Sequence, residues 1–167
     1  ATINKAPLGI TVTGTYTGTT TLNAPSYTTT GLVNSETITS LTSALVNNAN
    51  VSANGSNYVS SIVIGSGTAI AGNYNITQAY NASAGTTQNT ATINASPLNI
   101  TISKTYNGDA SFTNANSYTL TGMVNSESAP TITGGSATTS SANAATYTSF
   151  ATNSFTLSST NYTLTGG

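Results

Sequence analysis

The chain carries the same text twice. Ala91-Thr92-Ile93-Asn94-Ala95-Ser96-Pro97-Leu98-Asn99-Ile100 repeats Ala1-Thr2-Ile3-Asn4-Lys5-Ala6-Pro7-Leu8-Gly9-Ile10 at a spacing of 90 residues. The register continues from Thr15-Tyr16-Thr17-Gly18 to Thr105-Tyr106-Asn107-Gly108. It then runs from Gly31-Leu32-Val33-Asn34-Ser35-Glu36 to Gly122-Met123-Val124-Asn125-Ser126-Glu127, and from Asn73-Tyr74 to Asn161-Tyr162. A period this long specifies tandem domains, because solenoid repeats run only about 20 to 50 residues.

The two copies stop matching near their ends. Repeat one runs on past Asn73-Tyr74 to Ala91-Thr92-Ile93-Asn94, whereas five residues follow Tyr162. Repeat two is therefore expected to lack its last strand, and Ala1-Thr2-Ile3-Asn4 to be a copy of that strand with no module of its own. The expected division is residues 1–6 as a strand of a preceding module, 7–96 as the first repeat and 97–167 as the second. With only one or two residues between them, the two modules are expected to behave as a stiff segment of a rod.

Within each copy, β-branched and aromatic residues alternate with small polar ones. Ile10-Thr11-Val12-Thr13, Leu98-Asn99-Ile100-Thr101-Ile102 and Tyr162-Thr163-Leu164-Thr165 are examples, and the pattern is that of strands with one face in a core. The best helical candidate, Leu41-Thr42-Ser43-Ala44-Leu45, is short and set among β-branched neighbours. Gly and Asn punctuate at intervals of about 8 to 12 residues, which predicts an all-β chain of antiparallel β-sandwich modules. The 37% apolar content, with nine Tyr and three Phe, is enough for two modest cores and argues against disorder.

Composition excludes several chemistries. Two Lys, three acidic residues and no His leave 3% charge and a net charge of −1, which gives neither nucleic acid nor an anionic membrane anything to hold. Hydroxyls and amides keep such a surface hydrated whatever the pH or salt, which suits the variable surroundings outside a cell. Without Cys there is no disulfide, zinc knuckle or thiol nucleophile. Without His a hydroxyl nucleophile lacks its commonest base, and three scattered carboxylates make neither a paired-acid site nor a calcium cluster. The chain is read as no enzyme, with no cofactor and no metal. No run reaches the roughly 18 apolar residues that span a bilayer, so membrane insertion is not expected, and the missing signal-peptide pattern reads as a mature or excised segment.

Rare charges invite a reason, and Lys104 with Glu127 are candidates for a lysine cross-link of the kind some β-sandwich adhesins form. Repeat one has Gly14 in place of Lys104 and Thr19 in place of Asp109, so the trio is not a feature of the module. The favoured reading is a solvated lysine beside a turn and a glutamate in a loop. Thr runs such as Thr19-Thr20-Thr21 read as outward strand faces rather than an ice-binding lattice. Asn-x-Ser/Thr sequons occur as often as the composition produces them by chance.

The residues from Ile93 to Ile102, the Lys104-Thr105-Tyr106-Asn107-Gly108-Asp109 turn, Gly122 to Glu127 and the closing Asn161-Tyr162-Thr163-Leu164 together resemble the YDG and MBG-type bacterial immunoglobulin-like repeats. The likeness covers nearly all of both copies. It departs where Asn107 replaces the usual Asp, where Gly14 and Thr17 weaken the turn motif, and where Ser35-Glu36 stands for Gly-Asp. The resemblance implies tandem immunoglobulin-like β-sandwich modules from the stalk of a large secreted, filamentous-haemagglutinin-like adhesin, placed outside the bacterial cell or on its surface, with no active site.

The leading expectation is a structural stalk or filament segment whose partners are flanking repeats or other copies of itself. Ala1, Thr2, Ile3 and Asn4 are expected to pair with the open edge of repeat two of the next unit, either covalently in a longer array from which this segment is cut or as an intersubunit strand donated between separate chains. The runner-up is a module that binds a surface glycan through loop aromatics, with Tyr58, Tyr80 or Tyr147 as the platform. The equivalence of Tyr58 with Tyr147 favours a core or strand-face role for these rings.

Overall fold

The computed structural model describes residues 1–76 and 89–165. The chain divides into two compact units, Ala1–Asn94 and Ala95–Gly167, both nearly all β. Unit 1 contains β1 (Ala6–Thr15), β2 (Thr21–Asn23), β3 (Ser26–Thr30), β4 (Ile38–Val46), β5 (Val59–Gly67), β6 (Tyr74–Ile76) and β7 (Thr90–Asn94), with single 3-10 turns at Val51–Ala53 and Ala71–Asn73. Long β1 is the hub. It pairs antiparallel with β3, parallel with β6 through Ala6–Leu8, and parallel with β7 through Thr11–Thr15. A second, antiparallel sheet runs β2-β4-β5.

Alternation decides which side chains meet. Leu8, Ile10 and Val12 of β1 and Ala91 and Ile93 of β7 are buried, as are Leu22, Leu41, Ala44, Val46 and Val59 of the second sheet. Both sheets thus give one face to the core, as two-layer packing requires. The helical spacing of Leu41 and Leu45 lies inside β4, where the pairing with β5 shifts register at several points. Such bulges break the two-residue period, so buried residues fall at 41, 44 and 46 and imitate a helical stripe.

Unit 2 contains β8 (Ser96–Ser103), β9 (Ser111–Thr113), β10 (Ser117–Thr121), β11 (Ile132–Gly134), β12 (Ser136–Thr138), β13 (Thr152–Asn153), β14 (Thr156–Leu157) and β15 (Tyr162–Leu164). Its plan repeats that of unit 1. The strand β8 pairs antiparallel with β10 and parallel with β15, as β1 does with β3 and β6. The long hairpin β4-β5 is broken in two, into β11-β14 and β12-β13, and β9 pairs with β12 as β2 does with β4. Gly135 sits at the break with φ +83°, where any Cβ would collide with the Ser154 carbonyl. Pro7 and Pro97 each occupy the second residue of the opening strand, the place where a missing N–H disturbs a ladder least.

Candidate functional site

A lock recurs in both units. Asn34 and Ser35 have φ of +52° and +56°, and Asn125 and Ser126 have +51° and +57°. Each pair is the centre of a tight turn closed by Glu36 N–H on the Val33 carbonyl, or Glu127 N–H on the Val124 carbonyl, at 3.0 Å. Two successive left-handed residues define a type I′ turn, and Asn is among the side chains that tolerate it. The turn presents its glutamate to the tyrosine of a distant strand. Tyr74 donates to Glu36 at 2.5 Å and accepts from Val33 N–H at 3.1 Å. Tyr162 donates to Glu127 at 2.6 Å and accepts from Val124 N–H at 3.2 Å.

Each hydroxyl is thereby saturated between a carboxylate and a backbone donor. The carboxylate accepting from Tyr74 pushes that phenol above its ordinary value. Burial and then Glu127 do the same for Tyr162. Sequence reasoning placed both motifs in the repeats without joining them. The available signal was that each glutamate and its tyrosine recur together in both copies.

Lys104 has other partners than Glu127. Its Nζ donates to the carbonyls of Asp109 and Ser111 at 2.6 Å each and lies 5.1 Å from the centre of the Phe112 ring. Asp109 accepts from Ser111 N–H at 3.0 Å, and this hydrogen bond, with smaller help from Lys104, holds its carboxyl below the usual range. The two cross-link candidates are thus engaged separately: Lys104 ties down a turn and Glu127 belongs to the tyrosine lock.

The units differ most along the far edge of the opening strand. In unit 1 that edge, Thr11–Thr15, carries β7 in parallel register: Val12 beside Ala91, Thr13 beside Thr92, Gly14 beside Ile93. The outer edge of β7 meets backbone at Ala91, whose N–H donates to the Asn57 carbonyl at 3.1 Å beside the Tyr58–Thr90 bridge, and is capped by a side chain at Ile93. Asn54 donates to the Ile93 carbonyl and accepts from Ile93 N–H, both at 2.8 Å, so an amide takes the place of a further strand. In unit 2 β10 pairs with residues 101–103 on one side, and the other edge of residues 101–105, the one equivalent to the β7 edge of unit 1, carries no strand among the described residues. A groove of about 610 Å³ lies there instead, lined by Ile100, Ile102, Lys104, Phe112, Tyr147 and Phe150 among others. Phe150 packs on Phe112 and Phe155 with ring centres 6.3 Å apart in both cases.

Ala1, Thr2, Ile3 and Asn4 carry no strand and are exposed, Ile3 at 98%. Of the glycan-platform tyrosines, Tyr58 is half-buried and bridges to Thr90, Tyr147 is half-buried with its hydroxyl on the Asn143 carbonyl at 2.8 Å, and Tyr80 lies outside the described residues. Among the described residues no three His, Cys, Asp or Glu gather as a metal site, and no helix is long and apolar enough to cross a membrane. The chain matches no family model, no curated protein and no solved structure.

Proposed function

We propose that this chain is a load-bearing structural segment of an extracellular bacterial adhesin or surface fibre, made of tandem immunoglobulin-like β-sandwich modules and joined head to tail with its neighbours by strand addition. The observation that carries this reading is the parallel pairing of the opening strand of unit 1 with its closing strand, Thr11–Thr15 on Thr90–Asn94. Tension along the chain draws the start of β1 one way and the end of β7 the other. Two parallel neighbours pulled so are sheared, and every pair of the ladder resists together rather than opening one at a time. The parallel pairing of β1 with β6 adds three more residue pairs to the same strand. The nearly uncharged surface fits an exposed fibre, since its hydration depends little on pH or salt.

Single-molecule pulling on the chain by its two ends tests this. The expected record has two ruptures. The stronger releases unit 1, with roughly 300 Å of new contour length from about 90 residues. The weaker releases unit 2, whose opening strand is held in parallel, among the described residues, only through Ser96–Leu98 and Tyr162–Leu164. A unit 1 rupture no stronger than that of unit 2 overturns the load-bearing argument.

A further inference from the structure

We infer that the residue 101–105 edge of unit 2 is a strand-acceptor site, and that its occupant is Ala1–Asn4 of a second copy of this chain. This deepens the head-to-tail part of the reading above by naming the site, the register and the side chain that seats it.

The internal repeat supplies the template. Residues Ala91–Asn94 have the sequence of Ala1–Asn4 and lie along the equivalent edge of unit 1. Transposed by the 90-residue offset, the added strand is parallel, with Ala1 beside Ile102, Thr2 beside Ser103, Ile3 beside Lys104 and Asn4 beside Thr105. Alternation then turns Ala1 and Ile3 inward, as Ala91 and Ile93 are buried in unit 1 at 3% and 1% exposure.

Three further observations agree. Ile3 is an almost fully exposed apolar side chain, and the groove that would receive it is lined by Ile102 and two phenylalanines. The strand β1 runs to Thr15, whereas β8 stops at Ser103, where its pairing with β10 ends. In β1 the residues beyond that point, Gly14 and Thr15, pair among the described residues only with β7, so the shortening of β8 is what a missing neighbour produces. Finally, Asn143 rims the adjoining cavity beside Lys104, and its side chain carries no hydrogen bond among the described residues. It stands ready to cap the added strand as Asn54 caps β7. Lys104 does not obstruct this: its ammonium already holds two carbonyls, and its aliphatic stem becomes part of the groove wall.

The chain has no cysteine, so engineered pairs report contacts directly. Chains carrying Thr2→Cys are mixed with chains carrying Ser103→Cys under mild oxidation. Both positions face outward, and neighbouring strands lie about 4.8 Å apart, within disulfide reach. The mixed disulfide is expected to form at least about tenfold faster than between Thr2→Cys and Thr28→Cys, an exposed position on β3 of unit 1. Adding Ile3→Asp to the donor chain is expected to remove that advantage, and Asn143→Ala on the acceptor to reduce it. Equal rates at Ser103 and Thr28, or an advantage that survives Ile3→Asp, overturns the assignment. Pulling experiments on single chains do not depend on a second copy, so loss of cross-linking with the strong unit 1 rupture intact removes the acceptor site and leaves the load-bearing reading.

Discussion

Units 1 and 2 share an opening strand, a turn-and-tyrosine lock and an order of strands, yet one buries far more than the other. Among the described residues, the buried hydrophobic side chains of unit 1 are Leu8, Ile10, Val12, Tyr16, Leu22, Leu41, Ala44, Val46, Val59, Tyr74, Ala91 and Ile93, whereas those of unit 2 are Leu98, Ile100, Leu120, Ile132, Ala137 and Tyr162. Much of this traces to β7. That strand brings two core residues of its own, extends β1 to Thr15, and covers the edge over which Leu22 packs. In unit 2 all three phenylalanines of the chain gather at that place and cover part of the exposed surface with large rings. The difference teaches that the closing strand organises the whole far side of the module.

The sharpest way to break this comparison is to truncate the same side chain in the two copies of the strand. Ile93→Ala is expected to lower the stability of unit 1 by about 2 to 5 kcal/mol, because the removed methyls leave a cavity in a packed core. Ile3→Ala in the free chain is expected to change nothing beyond about 0.5 kcal/mol, since that side chain is solvated. Urea unfolding followed by circular dichroism and amide exchange measures both. Similar losses for the two would mean that Ala1–Asn4 is already packed somewhere.

Smaller effects sharpen it. Gly31 and Gly122 are equivalent and left-handed, at φ +90° and +100°, so alanine costs about 1 to 2 kcal/mol at either. At Gly31 the new Cβ also meets the Pro7 carbonyl at 2.6 Å, against 3.3 Å from the Pro97 carbonyl at Gly122, so Gly31→Ala is expected to be the more damaging. Asn54→Ala is expected to cost unit 1 about 1 to 2 kcal/mol by leaving the N–H and the carbonyl of Ile93 without their side-chain partner, while Asn143→Ala leaves the stability of the free chain unchanged. Equal thermal shifts for Asn54→Ala and Asn143→Ala would contradict the capping role.

Much of the fold was legible because the repeat aligns each strand with its twin. The positions where alternation is clean, such as Leu8, Ile10 and Val12, are buried as their pattern predicts. Leu41 to Leu45 was ambiguous because bulges in β4 shift the inward face without leaving a mark in the composition. The split of the long hairpin at Gly134-Gly135 is visible only when the chain must turn past Ser154. The Tyr74–Glu36 lock joins residues 38 apart in sequence, and no local pattern states that two such motifs meet. Ala1–Asn4 and Ala91–Asn94 carry the further lesson. Identical text is a strand in one place and exposed chain in the other, because β-propensity becomes structure only when an edge is present to pair with.

The smallest expected effect is the response to pH, and it too separates the units. Tyr74 and Tyr162 are raised above the ordinary phenol value near 10 by their glutamate neighbours and, for Tyr162, by burial first. A raised phenol favours the neutral hydroxyl in the folded state. Its contribution is therefore complete below about pH 10 and is lost as pH rises through the higher folded value. Both units carry the lock, so both are expected to weaken on the alkaline side, and Tyr74→Phe with Tyr162→Phe should flatten that limb. Asp109 is lowered by the Ser111 backbone, so its contribution is complete above about pH 4 and is lost as pH falls through the lower folded value. Unit 1 has Thr19 at that position and no such acid limb from it. Between about pH 5 and pH 9 none of these three groups titrates, and the midpoint temperature of the chain is expected to stay level. A thermal scan that drifts by tens of degrees inside that window would mean that a proton is linked to folding somewhere else. An acid limb that survives Asp109→Asn in unit 2 would remove the turn as the source of the difference.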